Sequence, residues 1–97
     1  MLQGHRISLI IPCYNEEEGL PVVLDMVPAL VDEIIIVDNN STDLTASVGE
    51  QFGAKVFRET EQGYGHAYHR GFAEASGDII VTMDVDGTYP ADEIPRL

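Results

Sequence analysis

The sequence has 97 residues, 44% apolar residues and a formal net charge of −12. A chain of this length forms one domain at most, and its apolar content is ordinary for a globular protein. The excess of 17 acidic over 5 basic side chains argues against a nucleic-acid-binding protein with a basic face. No apolar run approaches the ~20 residues of a membrane span, and the first residues lack the apolar core of a signal peptide. We therefore expect a cytoplasmic chain.

Four short apolar runs predict strands that are buried on both faces of a sheet. They span residues 7–11, 34–37, 54–57 and 79–83. Pro12 ends the first run and Asp38 ends the second. Cys13, at the end of the first run, is the single cysteine, so an internal disulfide is excluded. Its position favours a small buried side chain over a reactive thiol.

A first helix is predicted after the first run. Asn15, with a carboxylate three residues later, is typical of a helix N-cap, and apolar residues then recur at helical spacing from Leu20 to Val31. Pro21 suits the first turn of such a helix because the missing N–H has no partner there. Pro28 has no explanation in this pattern, since proline kinks or loosens a helix interior.

Two more helices complete an alternation of strands and helices. The second is predicted over residues 42–52, with Ser41 as its cap and Gly53 at its end, and the third over residues 65–75. A β-α-β-α-β-α-β order predicts a parallel sheet with helices on both faces, a three-layer α/β sandwich. In such sheets ligands bind beyond the carboxyl ends of the strands. Polar clusters follow each strand there, at residues 12–16, 38–43, 58–65 and 84–89.

The last of these clusters begins with Asp84-Val85-Asp86. Alternation along an extended chain directs both carboxylates to one side, and like charges so close repel unless a cation or a proton joins them. Carboxylate oxygens suit Mg²⁺ or Mn²⁺, which take water and substrate phosphate oxygens as further ligands. The pattern alone is equally typical of a solvated acidic loop. Its position after a buried strand favours a metal site at Asp84 and Asp86.

The other clusters allow both a binding role and a structural role. Asp38 is a carboxylate at the end of a buried strand and needs a partner, such as an N–H of a base. Tyr14 can lie against a base or simply pack, and Asn15 and Glu16 can bond a ribose or cap a helix. Gly65, at the start of the third helix, allows a close backbone approach to an anion. Ser41 and Asp43 are interpreted as structural caps of the second helix.

Five segments together resemble family 2 glycosyltransferases, and in particular the dolichol- or polyprenyl-phosphate hexosyltransferases. They are residues 10–16 (IIPCYNE), 36–43 (IVDNNSTD), 63–67 (GYGHA), 75–78 (ASGD) and 83–87 (MDVDG). The resemblance covers residues 7–97. It implies the nucleotide-binding half of a GT-A (Rossmann-like) fold, a nucleotide-diphospho-sugar donor, and inverting transfer assisted by Mg²⁺ or Mn²⁺. The donor-binding residues that it implies are Pro12, Tyr14, Asn15, Glu16, Asp38, Gly65, Asp84, Val85 and Asp86, with Asp84 and Asp86 at the metal.

The chain departs from the family pattern at two places. Asn39 stands where the resemblance implies a second acid, which changes the local charge and the contacts to the base. The third motif often carries a lysine, whereas here Gln62 and Tyr64 stand nearby, so no lysine neutralises the diphosphate. Arg58 or Arg70 is a candidate to replace it.

The resemblance places the acceptor site and the general base, a carboxylate, beyond residue 97. We therefore expect residues 1–97 to be an N-terminal donor-binding piece that transfers nothing alone and associates through an exposed sheet edge. The acceptor implied is a polyprenyl or dolichyl phosphate, reached from the cytoplasmic face of a membrane. A nucleotidyltransferase, a receiver-type regulatory domain and a non-catalytic nucleotide-binding remnant are the alternatives.

Overall fold

A computed structural model of the protein describes residues 1–85. These residues form strands and helices that alternate along the chain. The strands are β1 (Ile7–Cys13), β2 (Glu33–Asp38), β3 (Lys55–Arg58) and β4 (Ile79–Thr82). The helices are α1 (Leu20–Asp25), α2 (Thr45–Gln51) and α3 (Tyr64–Glu74). The order predicted from the apolar runs is confirmed.

The strands form one parallel sheet in the order β3-β2-β1-β4. The register pairs Ile10 of β1 with Ile35 of β2 and with Thr82 of β4. The chain thus moves outward from β1 to β3 and then returns to the other side of β1 as β4. The order reverses between β1 and β4, and in open parallel sheets ligands bind beyond the carboxyl ends of the strands at such a point.

Helices cover both faces of the sheet, which confirms the three-layer arrangement. On one face, the β1 side chains Leu9 and Ile11 share a buried apolar cluster with Leu20 of α1. On the other face, Ile10 packs in a second cluster with Ala67 of α3. Alternate residues of β1 therefore pack in apolar clusters on opposite faces of the sheet, which is why residues 9–11 are apolar without alternation.

β1 continues through Pro12 to Cys13, so the strand end predicted before Pro12 is wrong. Pro12 pairs with Val37 of β2, whereas the pairing of β1 with β4 has already ended at Ile10 and Thr82. The carbonyl of Ile10 accepts from Met83 on the β4 side, and the backbone of Pro12 faces the same side two residues later. The missing N–H of Pro12 therefore removes no sheet hydrogen bond.

The predicted continuation of the first helix to Val31 is also wrong, because α1 ends at Asp25. Pro28 has no N–H to donate to the carbonyl of Leu24, and its ring disfavours the helical conformation at Val27. Pro21 does lie at the start of α1, as predicted. The helix N-cap is Gly19 rather than Asn15.

α2 begins at Thr45, three residues later than predicted, and its N-cap is Leu44 rather than Ser41. Gly53, with a φ of +82°, follows its end as predicted. α3 begins within one residue of the prediction. Among residues 1–85, none of the helices has the length and apolar character to cross a membrane.

Candidate functional site at the carboxyl ends of the strands

The end of β1 supplies the first part of the candidate site. Pro12 and Cys13 are buried, whereas the side chain of Tyr14, directly after the strand, is 50% exposed. Burial raises the pKa of the Cys13 thiol, and the charge of Glu16 raises it further. The prediction of a small buried cysteine is confirmed. Tyr14 presents its ring at the edge of the sheet.

The turn after β1 is joined to the β2–α2 loop by Asn15 and Ser41, which the sequence predicts to be helix caps. The backbone N–H of Asn15 donates to Ser41 Oγ at 2.9 Å, and Asn15 Oδ1 accepts from the N–H of Thr42 at 2.9 Å. Asn15 has a φ of +53°, a conformation that asparagine tolerates better than most residues. The N–H of Glu16 donates to the hydroxyl of Thr45 at 2.9 Å. Asn15 and Ser41 therefore hold two loops together, and neither caps a helix.

Asp43 secures the same junction from the β2–α2 loop. Its carboxylate accepts from the N–H of Thr45 at 3.0 Å and from the N–H of Glu17 at 3.3 Å, and the Thr45 hydroxyl also donates to it. Burial raises the pKa of Asp43, but these hydrogen bonds outweigh it and lower the pKa below its ordinary value. The structural role predicted for Asp43 is confirmed, although the residue lies ahead of α2 rather than in its first turn.

Asp38, at the end of β2, is buried and has partners for both carboxylate oxygens. Oδ1 accepts from the N–H of Ser41 at 2.9 Å, and Oδ2 lies 3.4 Å from the guanidinium of Arg58. Arg58 also donates to Asn40 Oδ1 at 2.6 Å. The partner that a buried carboxylate requires is thus within the protein. A contact between Asp38 and a base stays a prediction.

Asn39, next along the chain, makes three hydrogen bonds to the loop that joins β3 to α3. Its Nδ2 donates to the carbonyls of Glu59 and Glu61 at 3.0 and 2.8 Å. Its Oδ1 accepts from the N–H of Gly63 at 2.9 Å. The sequence singled out Asn39 only as a departure from the family pattern, and this set of contacts was not predicted.

A cleft of about 270 Å³ lies between the end of β1 and the β3–α3 loop. Its walls combine aromatic faces with polar atoms: Pro12, Cys13, Tyr14, Asn39, Gln62, Gly63 and Tyr64. Tyr64 is 67% exposed and Tyr14 is 50% exposed, so both tyrosine side chains of the cleft are accessible to solvent. A concave surface with aromatic rings and a few polar groups suits a planar heterocycle.

The first aspartate of the predicted metal pair lies at the carboxyl end of β4, the strand beside β1. Asp84 follows β4 and is half-buried, and its Oδ1 accepts from the hydroxyl of Tyr68 on α3 at 3.1 Å. Burial and the charge of Asp84 raise the pKa of Tyr68 to about 12, so Tyr68 keeps its proton and donates. No sequence signal selects Tyr68, since its helical spacing with Tyr64 and Phe72 is equally typical of packing.

Val85 and Asp86 complete the predicted donor-binding segment. Val85 is buried in the apolar cluster of α1, close to Gly19. A donor contact of Val85 would therefore use its backbone. Asp86 lies outside the described residues. Within residues 1–85 no group of three or more His, Cys, Asp or Glu side chains is placed to hold a metal ion.

Two remaining candidates are the helix start and the arginines. Gly65 is the second residue of α3, with open space where a side chain would project. Arg58 is bonded to Asp38, and Arg70 lies 3.5 Å from Glu74 with its guanidinium 5.4 Å from the ring centre of Phe57. Both arginines already have protein partners, and a role of either at a diphosphate stays a prediction.

Comparison with known proteins gives consistent matches. Residues 8–97 match the family model described as glycosyl transferase family 2. An uncharacterized glycosyltransferase of Mycobacterium tuberculosis is 43% identical over 96 residues, which are 99% of this chain and 44% of that protein. The dolichol-phosphate mannosyltransferase of Pyrococcus furiosus is 39% identical over 101 residues, covering 95% of this chain and 29% of that enzyme. The chain thus spans less than half the length of these relatives.

Solved structures match the fold as well. Glucosyl-3-phosphoglycerate synthase of M. tuberculosis superposes with a TM-score of 0.82 and 34% identity, covering 93% of this chain and 38% of that one. The same enzyme in complex with Mn²⁺, UDP-glucose and phosphoglyceric acid gives a TM-score of 0.78 and 36% identity, over 86% and 34% of the two chains. The predicted fold class, the nucleotide-binding half of a GT-A fold, is confirmed.

Proposed function

This chain belongs to glycosyl transferase family 2, and we propose that it forms the donor site of an enzyme that transfers a hexose from a nucleotide-diphospho-sugar. The observation that carries the proposal is the meeting of the cleft and Asp84 at one end of the sheet. β1 and β4 are neighbouring parallel strands, so the aromatic cleft after β1 lies beside the carboxylate after β4. The cleft suits the base of such a donor, and the adjacent carboxylate suits a cation bound to the donor's diphosphate.

The base occupies the cleft in this proposal. Tyr14 offers a ring face from one side and Tyr64 from the other, and Gln62 supplies an amide that can both donate and accept. A uridine donor is supported by a solved relative that is 36% identical in sequence to this chain and that was crystallised in complex with UDP-glucose. UDP-glucose is therefore the first donor to test, with GDP-mannose as its competitor.

Asp84 and Asp86 hold Mg²⁺ or Mn²⁺ in this proposal. One oxygen of Asp84 accepts from Tyr68, and a carboxylate has lone pairs on its second oxygen for an ion. Carboxylates fit these hard cations, whose remaining ligands are waters and phosphate oxygens. When bound, the cation would neutralise charge on the diphosphate leaving group.

The charge distribution favours a cation over basic side chains for this task. With a net charge of −12, the protein repels an anionic diphosphate unless positive charge is placed between them. Lys55 is bonded to Glu33 at the amino end of the sheet, and Arg58 is engaged by Asp38. Lys55 and Arg58 are therefore already paired with carboxylates of the protein.

The proposal extends to the acceptor and to the location of the whole protein. We propose a polyprenyl or dolichyl phosphate acceptor, which the dolichol-phosphate mannosyltransferase relative supports. We also propose a location at the cytoplasmic face of a membrane. Transfer would proceed with inversion, with a general-base carboxylate beyond residue 97 and with residues 1–97 inactive alone. Self-association through the apolar edge strand β4, where Ile80 is 41% exposed, is part of the same proposal.

Titration calorimetry tests the donor site directly. UDP, UDP-glucose, GDP and GDP-mannose are titrated with and without Mn²⁺ into the wild type and Asp84→Ala. We expect binding that requires the metal and is lost in Asp84→Ala. Asp25→Ala removes one carboxylate from the exposed end of α1 and is the matched control, with unchanged binding expected. Binding that survives in Asp84→Ala, or that needs no metal, would contradict the metal role.

A transfer assay separates an enzyme from a non-catalytic nucleotide-binding remnant. The full-length protein is incubated with labelled donor and either a polyprenyl phosphate or 3-phosphoglycerate. Product on the lipid supports the proposed acceptor, and product on 3-phosphoglycerate replaces it with a small phosphorylated acid. Metal-dependent binding without transfer to either acceptor would favour the remnant.

A further inference from the structure

We propose that Asn39 is a positioning residue that fixes the β3–α3 loop, which forms one wall of the nucleotide cleft, and thereby sets the affinity for the donor. This inference rests on the proposed function, since it assigns a role within the same cleft. Asn39 would act through the loop it holds, which spans residues 59–63. The chemical class of the ligand is a nucleoside diphosphate.

The side chain of Asn39 uses both of its functional groups on this loop. Two N–H groups donate to the carbonyls of Glu59 and Glu61, and the amide oxygen accepts from Gly63. The side chain is 7% exposed, so water does not readily replace these partners. The backbone N–H of Asn39 also donates to the carbonyl of Cys13 at 2.8 Å. One residue thus connects the ends of β1 and β2 to the β3–α3 loop.

The loop held by Asn39 is one side of the cleft. Gln62, Gly63 and Tyr64 face Pro12 and Tyr14 across it. Gly63 has a φ of +125°, a conformation that side-chain-bearing residues rarely adopt, so the loop has a specific shape at its junction with α3. The hydrogen bonds of Asn39 hold that shape at a fixed distance from the sheet and so fix the distance between the two walls.

Only an amide fulfils this role at position 39. The loop presents two carbonyl oxygens and one N–H, and an amide supplies two donors and one acceptor that match them. An ionised aspartate supplies no donor, so both carbonyls would face a carboxylate. The second acid implied by the family resemblance at this position is therefore incompatible with this loop conformation.

Asn39→Asp is the decisive variant, and Asn40→Asp is its matched control. Both add one negative charge at the end of β2. Asn40 contacts Arg58 through its oxygen, an interaction that an aspartate retains, and its φ of +68° is one that aspartate tolerates. Calorimetry with UDP and Mn²⁺ gives the affinity, and hydrogen exchange of residues 59–64 reports on the loop. Asn39→Ala removes the hydrogen bonds without adding charge.

We expect UDP affinity to fall about tenfold or more in Asn39→Asp and in Asn39→Ala, with faster exchange confined to the loop. Asn40→Asp should stay within about twofold of the wild type, a difference small on the scale of one hydrogen bond. Equal losses in Asn39→Asp and Asn40→Asp would show a charge effect and overturn the inference. Unchanged affinity in Asn39→Ala would overturn it as well.

The wild type provides a test that does not depend on the folding of a variant. Saturating UDP with Mn²⁺ should slow exchange of residues 59–64, because the base lies against that wall. If UDP binds and the loop exchanges at its free rate, the inference is wrong while the donor site stands. If the wild type binds no nucleotide in the presence of metal, the proposed function itself fails.

Discussion

The two ends of β2 each carry a buried carboxylate, and their surroundings differ. Glu33, at the amino end, accepts from the hydroxyl of Ser8, from Lys55 at 2.9 Å, and from the N–H and hydroxyl of Ser76 at 2.7 and 3.0 Å. These donors come from β1, β3 and the turn before β4. The Glu33 carboxylate is therefore enclosed by donors from three parts of the sheet.

The carboxyl end of the same strand is organised differently. Asp38 accepts from the N–H of Ser41 and contacts Arg58, and its neighbour Asn39 reaches across to another loop. These side chains fix the backbones of loops and leave a cleft between them. The comparison shows that burial of a carboxylate alone does not mark a site. What distinguishes the carboxyl end is that its polar contacts fix loops around a cleft lined by two tyrosines, whereas the cavity of about 200 Å³ beside Glu33 is lined by no aromatic side chain.

The largest expected effect is on stability, at the amino end. Glu33→Ala removes the acceptor of several buried donors, including the hydroxyl of Ser8, and should cost about 2–4 kcal/mol of unfolding free energy. Urea unfolding measures it. Glu74→Ala removes a glutamate from the partly exposed pair with Arg70 and should cost below about 0.5 kcal/mol. Equal effects of the two variants would mean that the buried network of Glu33 contributes no more than a partly exposed ion pair.

Acid should weaken the same network. Burial raises the pKa of Glu33, but the hydrogen bonds from Ser8, Lys55 and Ser76 prevail and lower the pKa from 4.5 to about 2. A lowered folded-state pKa means that the stabilisation is complete above pH 4.5 and is lost as the pH falls toward 2. Urea unfolding of the wild type from pH 5 to 2 should show this loss. Glu33→Ala should show a smaller slope, and identical slopes would contradict the assignment.

Gly77 tests how tightly the amino end is packed. A side-chain carbon there would lie 2.5 Å from Ser8 Oγ and 2.9 Å from the carbonyl of Arg6, which is backbone and cannot rotate away. Gly77→Ala should therefore destabilise the protein by about 1–3 kcal/mol. Thermal unfolding provides the measurement. Stability equal to that of the wild type would mean that this end tolerates expansion.

Tyr68→Phe tests the carboxyl end, with binding as the main readout. The change removes the hydroxyl that donates to Asp84 and keeps the ring, which stacks on Tyr64 and Phe72 with centres 6.3 Å apart. We expect Mn²⁺-dependent UDP affinity to fall about fivefold, the scale of one hydrogen bond. If the affinity is unaltered, Tyr68 does not orient Asp84.

The smallest effect is expected at Gly65, where nothing lies within 4 Å of the position of an added side-chain carbon. Gly65→Ala should raise stability by at most about 1 kcal/mol, because alanine favours helix. If the backbone of Gly65 approaches the diphosphate, as the sequence predicts, UDP affinity should fall at the same time. A variant that is more stable and binds equally well would remove Gly65 from the donor site.

Strand positions and polar clusters could be predicted from the sequence because both are local properties. The apolar runs identified all four strands of residues 1–85 to within three residues. Helix ends were less predictable. Asn15 and Ser41 are residue types that commonly cap helices, yet the hydrogen bond between them joins two loops 26 residues apart in sequence. Local composition cannot reveal that a distant backbone group competes for the same side chain.

The sequence by itself determined the family, the alternation of strands and helices, and the carboxylates that follow the strands. These properties depend on residue type and spacing along one segment. The tertiary structure decided which polar groups are already satisfied. It showed that Glu33 is a buried carboxylate enclosed by hydrogen-bond donors and that Asp38 has Arg58 as a partner. It also showed that Asn39 makes hydrogen bonds to the loop that lines one side of the cleft. Such assignments depend on which backbone groups the sheet brings within hydrogen-bonding distance, and no single segment contains that information.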